Sequence, residues 1–288
     1  MKKVYIDAKL SRYVVPSEIR NNSISEGKIF TPGTRLPLEN SKFVRLFTAW
    51  KASNNSFASI DVDLGASFTY KDKFNIKEIA YYSQHNSFAS HSGDFTSCRA
   101  FDEETSLITS EYIDIDIEKA KNDGVKYILT SNIIYSGIGS YSDFDCWSGV
   151  ELLNENRVSK ENSIKLSNSL FKIKLDGNFR AHIGLAIDLE TMEIVIIDKY
   201  EESEYGTNLY SLSNKMKSYK NLIFDAVDFK ENMYNLLEMY CESKNYTLTN
   251  VLEEADIICS YDYFKDLSAN KTQFNISDNL DKIISILD

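Results

Sequence analysis

The stretch Ile60-Asp61-Val62-Asp63-Leu64 alternates apolar and acidic residues with a period of two, and Ile113-Asp114-Ile115-Asp116-Ile117 repeats the pattern. Residues two apart on a strand share a face, so each stretch turns its aliphatic side chains one way and its aspartates the other. An α-helix would scatter the same residues around its axis. The signature continues outward in both directions. Upstream, Val44, Leu46, Thr48 and Trp50 share one face; downstream, residues 127–135, 171–175 and 183–197 are rich in β-branched and aromatic residues. Phe171, Ile173 and Leu175 alternate with Lys172 and Lys174, and Asp188-Leu189-Glu190-Thr191 breaks the last stretch as a hairpin loop would. Many short alternating strands with few helical stretches between them predict a β-sandwich.

One helix is expected inside this region, over residues 117–123 and closed by Gly124. After about residue 205 the period changes: Phe229, Met233, Leu236, Leu237, Tyr240 and Cys241 form one helical stripe. Further helices are expected over 249–259 and over 278–287, the latter capped by Ser277. All three prolines, Pro16, Pro32 and Pro37, lie in the opening segment, which is expected to run over the surface as edge pieces and turns. The expected fold is mainly β and α+β as a whole, a β-sandwich domain over 1–204 followed by a C-terminal α-helical extension over 205–288.

Composition narrows the function. Asp and Glu number 43 against 32 Lys and Arg, a formal net charge of −11, so the surface repels phosphate backbones and favours cations; no nucleic-acid partner is expected. The 4 cysteines form no Cys-x-x-Cys pair, which argues against a zinc ribbon or a dithiol redox motif and for reduced, mostly buried thiols. No apolar run approaches the length of a membrane span, and none follows the basic start Met1-Lys2-Lys3, so neither membrane insertion nor export is expected and the cytoplasm is the default location.

The chemistry-bearing features are acidic. Asp61 and Asp63, and likewise Asp114 and Asp116, share a strand face about 6.6 Å apart. Carboxylates so placed repel one another unless water or a cation stands between them, and a hard cation such as calcium collects about 6–8 oxygen ligands. The alternative is the solvated face of a half-buried strand. His91-Ser92-Gly93-Asp94 reads as a tight turn that frees its carboxylate, and Asp102, Glu103, Glu104 and Glu111 follow it. Cys98 and His91 suggest a nucleophile and base, but no third residue to orient them is evident. His182 lies on an alternating stretch and reads as structural. Gly137-Ile138-Gly139 lacks a third glycine and a following helix, so it is no dinucleotide fingerprint.

Taken in order, Thr34-Arg35-Leu36-Pro37-Leu38, Val44-Arg45-Leu46-Phe47 with Trp50, Asp61-Val62-Asp63-Leu64-Gly65-Ala66-Ser67, His91-Ser92-Gly93-Asp94-Phe95-Thr96, Glu111-Tyr112-Ile113-Asp114-Ile115-Asp116 and Gly124-Val125-Lys126-Tyr127-Ile128 resemble one family. It is the TerD-like domain of bacterial tellurium-resistance and stress-response proteins, in the variety found within larger proteins that carry a RING-type segment. No cysteine-rich RING segment occurs in this sequence. The resemblance spans roughly residues 10–200 and implies a β-sandwich that binds Ca²⁺. Carried over residue by residue, the implied metal ligands are Asp61, Asp63, Asp94, Glu111 and Asp116. Two departures stand out: residues 98–110 place Asp102-Glu103-Glu104 differently from the family's acidic loop, and Gly65 stands where Asp or Ser often lies.

The expected function is that of a calcium-binding, non-enzymatic stress-response or scaffold protein, in which the cation orders the 94–111 loop into a surface for a protein partner. Two other classes stay open at this point: a hydrolase using a carboxylate pair or Cys98, and a metal-free adaptor or inhibitor in a phage-defence context. The sequence does not fix an oligomeric state.

Overall fold

The computed structural model of the chain describes residues 2–15, 32–38, 41–51, 60–70, 77–96, 108–137, 139–153, 163–201, 208–210, 212, 232–260 and 272–275. The strands, in chain order, are β1 (Lys3–Ile6), β2 (Arg35–Pro37), β3 (Phe43–Lys51), β4 (Asp61–Tyr70), β5 (Lys77–Ile79), β6 (Ala89–His91), β7 (Ile108–Asp116), β8 (Val125–Ser136), β9 (Asp145–Leu153), β10 (Ser163–Ile164), β11 (Phe171–Leu175), β12 (Ala181–Asp188), β13 (Glu193–Glu201), β14 (Thr247–Leu248), β15 (Ile257–Ser260) and β16 (Thr272–Asn275). Helix α1 is Ile117–Asn122 and helix α2 is Met233–Ser243. The chain forms two compact units, Leu36–Phe224 and a second made of Met1–Arg35 with Asp225–Asp288. The sequence places a single boundary at 204/205; the grouping instead joins the first residues to the last.

The larger unit is the expected β-sandwich. One sheet runs β10-β7-β3-β9-β11 with β6 also on β7; the other runs β2-β13-β12-β8-β4-β5. The alternation read from the sequence sets the register: Leu46 faces Ile113 and Val150, Leu64 faces Asn132, and Ile187 lies between Ile128 and Ile194. Val44, Leu46, Trp50, Val62, Leu64, Ile113 and Ile115 are fully buried. Polar bonds also cross between the sheets. Trp50 Nε1–H donates to Ile60 O at 3.1 Å, and Asn132 Nδ2 donates to Ser148 Oγ at 3.2 Å. His182 is structural, as read: its Nε2–H donates to Asp198 Oδ1 at 2.9 Å and its ring packs on Tyr200.

Half-buried strands were expected, yet β3, β4 and β7 are buried on both faces nearly throughout. On β3 and β7 the second face carries its own apolar cluster of Phe47, Ala49, Ile108, Tyr112 and Ile164, with Trp147 and Leu166 packed against it. Asp114 therefore lies on a covered face rather than a solvated or cation-binding one. Arg45, directly opposite it, closes a two-pronged ion pair with Nε and Nη2 at 2.6 and 2.8 Å from the carboxylate, and its guanidinium lies 3.8 Å over the Tyr112 ring. On β4, Leu209 covers Gly65 on the face that also carries Asp63.

The second unit adds a sheet to the expected C-terminal helix. It holds a parallel four-stranded sheet in the order β14-β1-β15-β16, with α2 packed on β1. Helix α2 follows the predicted stripe, burying Met233, Leu237 and Cys241, and Asn232 caps it by accepting from Asn235 N–H. The helix expected over 249–259 is instead a short 3₁₀ turn, Leu252–Glu254, followed by β15. Ile257-Ile258-Cys259 sits between two parallel partners, where a central strand reads as a continuous apolar run and pairing overrides local helical period. The opening residues, expected as surface pieces, include β1, an interior strand of this sheet with Val4 and Ile6 buried. The stretch 278–287 lies outside the described residues.

Gly149 marks the tightest approach in the sandwich. A Cβ there would lie 2.4 Å from Phe171 O and 2.5 Å from the Phe47 ring, which rests on this glycine from the neighbouring strand. Gly149→Ala is expected to lower stability by about 1–3 kcal/mol through overpacking, read as a lower urea midpoint at unchanged slope; an unchanged midpoint would contradict the close contact.

Candidate metal centre

Strand β4 begins with Asp61 and Asp63, which are 4% and 3% exposed despite their charge. Across the ladder, β4 and β8 slip register between Asp61 and Val62, so Tyr135 bulges out beside the two aspartates and is half exposed. Asp94 arrives from the turn after β6 and is exposed. Among the described residues these three form the group whose carboxylate oxygens come together, all within 4.8 Å of one another. One ion holding oxygens at 2.3–2.6 Å spans about that distance. Asp61 Oδ1 and Asp63 Oδ2 are buried and accept no hydrogen bond from the protein. A buried carboxylate oxygen without a donor is costly, so this donor set fits a hard divalent cation, whose charge and oxygen preference would satisfy both atoms at once.

The turn is set by its glycine and by two buried side chains. Gly93 has φ +111°, a conformation that side-chain-bearing residues seldom adopt. Its N–H donates to His91 Nδ1 at 3.0 Å, while Phe95 N–H donates to Glu111 Oε1 at 3.0 Å. The other ends of both side chains reach one residue of the opposite sheet: Leu64 N–H donates to Glu111 Oε2 at 2.8 Å, and His91 Nε2–H donates to Leu64 O at 3.2 Å. His91 Nδ1 accepts and Nε2 donates, which defines a neutral ring in one tautomer.

Of the five implied ligands, the structure brings three together. Glu111 lies behind them, fully buried, with each oxygen already accepting a main-chain N–H. Asp116 is elsewhere, about 17 Å further along β7; it caps α1, accepting from Lys119 N–H at 3.0 Å, and pairs with Lys119 Nζ. A strand that runs directly into a helix needs an acceptor at that junction, and Asp116 supplies it. Cys98 and Asp102-Glu103-Glu104 lie outside the described residues. As a base for Cys98, His91 would have to give up one of its two main-chain bonds. No local pattern signals the His91 and Glu111 clamp, because its contacts span 27 and 47 residues.

The electrostatics follow from burial. Asp63 is pushed up to about 8 by desolvation, then by the nearby charges of Glu111, Asp61 and Asp94. Asp61 is pushed up to about 7 by desolvation, then by Asp94 and Glu111. The Tyr81 hydroxyl is raised by burial and then by Asp63, Tyr135, Asp94 and Asp61, which puts two tyrosine rings in the field of the cluster.

No family model matches the chain, and no curated protein matches it. Solved structures similar over part of it include the following two. One is a homologue of telluride resistance protein (TerD) from Streptomyces coelicolor A3(2), 10% identical, covering 57% of this chain and 93% of its own, with a TM-score of 0.41. The other is the protein of unknown function SAV2460, 10% identical, covering 58% of this chain and 93% of its own, with a TM-score of 0.42.

In the ion-free folded chain, Asp61 and Asp63 keep protons that the unfolded chain has released above about pH 4. The folded state thus binds more protons, and stability falls as pH rises from about 4 to the raised values near 7 and 8. Urea denaturation in chelator is expected to show this decline, at up to about 1.4 kcal/mol per pH unit for each carboxyl. Asp63→Asn should remove one carboxyl's share; an equally steep profile in that variant would show that Asp63 titrates normally.

Proposed function

We propose that this chain is a calcium-binding, non-enzymatic protein of the stress-response or scaffold kind, in which the cation orders a surface for a protein partner. The observation that carries the reading is that Asp61 and Asp63, each with one buried oxygen lacking a donor, bring carboxylate oxygens within 4.8 Å of one another and of Asp94. The order of sequence motifs that resembles TerD-like proteins supports the calcium assignment and the tellurium-resistance and stress context. The net charge of −11 favours cation uptake.

Asp61, Asp63 and Asp94 would hold the ion, with water and main-chain oxygens completing its shell. When bound, the ion supplies positive charge that neutralises the clustered carboxylates. The protein's own part is to keep the strand pair Asp61 and Asp63 rigid and dehydrated and to present Asp94 on a turn. Because Asp94 is the exposed member, ion binding would fix its turn, and Asp94 together with Tyr81 and Tyr135 forms the surface offered to a partner. Protons compete for the same oxygens, so affinity should rise with pH through about 7 and 8.

Thermal unfolding with calcium and with chelator tests this. Binding to the native form alone stabilises by about 2.7 kcal/mol at one hundred times Kd, so the midpoint should rise with calcium. Asp61→Ala and Asp94→Ala should abolish the rise. Asp116→Ala should lower the midpoint through loss of the α1 cap, by about 1 kcal/mol, yet keep the full response to calcium. No rise in the unsubstituted protein would remove the calcium reading.

A further inference from the structure

We infer that His91 and Glu111 are positioning residues for the metal centre, holding Asp94 against Asp63 by main-chain hydrogen bonds on both sides, and that neither is itself a ligand. The inference rests on the calcium reading above and assigns Glu111 a different part from the one its place in the sequence suggests.

Three observations carry it. First, the clamp is symmetrical about Asp94: the residue before it, Gly93, is bound through its N–H to His91, and the residue after it, Phe95, through its N–H to Glu111. Second, the same two side chains grip the two main-chain polar groups of Leu64, the residue after Asp63. The turn is thus hydrogen-bonded to β4 through these two side chains, which lie 3.5 Å apart with no exposed side-chain surface. Third, the oxygens that gather within 4.8 Å belong to Asp61, Asp63 and Asp94, and Glu111 is not among them. A carboxylate taking two main-chain N–H groups is already well satisfied, and turning it toward an ion would strand Leu64 N–H and Phe95 N–H in a dry interior.

The chemistry explains why these residue types stand here. Leu64 offers one donor and one acceptor, and the turn offers two donors, Gly93 N–H and Phe95 N–H. A carboxylate supplies two acceptors on one rigid plane. A neutral imidazole supplies one acceptor and one donor at opposite corners of its ring. Glutamine at 111 would keep the size but present an amide N–H to one of the two N–H groups, loosening one side of the clamp.

Terbium luminescence sensitised by the neighbouring tyrosines tests the proposal on the full chain, since the emission lifetime in light and heavy water counts the waters on the ion. In Glu111→Gln, terbium and calcium affinities should fall about tenfold or more, equal to about 1.4 kcal/mol, while the water count stays that of the unsubstituted protein. A count raised by one would make Glu111 a ligand, and an unchanged affinity would deny it any positioning part; either overturns the inference. Should that variant not fold, nitrogen-15 resonances of His91 in the unsubstituted protein decide. Nδ1 is expected unprotonated and Nε2 protonated, both unmoved in tautomer on adding calcium; a metal-bound nitrogen shift, or the opposite tautomer, would overturn it. If the unsubstituted protein takes up neither ion, the calcium reading itself fails, an outcome distinct from binding with an altered water count.

Discussion

One small hydrogen-bond exchange holds the functional end of the sandwich together: Glu111 and His91, from one sheet, bond the N–H and C=O of Leu64 in the other. The sheet partner β5 engages β4 from Ala66 onward, so Leu64 lies beyond its paired stretch. Buried main-chain groups left without partners would be expensive there. Two side chains take the place of the missing strand. By doing so they fix where β4 lies relative to β6 and β7, which in turn fixes Asp63, the turn after β6, and Asp94.

The two Asp-x-Asp pairs show how context separates residues that look alike in sequence. Asp114 meets a guanidinium in the directly opposite position, and Tyr112 stacks beneath that group, so a buried charge is neutralised within the fold. Such a pair contributes little net stability beyond an apolar one, but breaking it would leave a bare charge inside. Asp61 and Asp63 are just as buried, and one oxygen of each lacks any donor. The first pair is thus complete as a structural element, while the second stays unsatisfied by the protein alone. That difference is the basis for placing a cation at one pair and none at the other.

The strands were readable because period two is a local property: the alternation in residues 60–64, 113–117 and 171–175 needs no knowledge of the rest of the chain, and α1 announces itself by Gly124 at its end. The sheet of the second unit is not legible in the sequence for the opposite reason. Ile257-Ile258-Cys259 has no alternation because both of its faces are covered, and its partner strand lies some 250 residues earlier in β1. At the candidate metal centre, Asp61, Asp63 and Asp94 are marked in the sequence by spacing and turn chemistry. The resemblance sets Glu111 and Asp116 beside them because charge alone does not tell an open carboxylate from one that already accepts main-chain N–H groups. What distinguishes them is which donors lie within reach, and that is decided by tertiary contacts.

The position of β1 bears on how the chain comes off the ribosome. Lys3–Ile6 is made more than 200 residues ahead of both its neighbours, Thr247–Leu248 and Ile257–Ser260. Translation therefore delivers the whole of Leu36–Phe224 before this strand can find either mate, and the sandwich has time to fold while Val4 and Ile6 wait without cover. A product stopped short of residue 247 would carry a strand with two bare edges, the kind of template on which chains associate with one another.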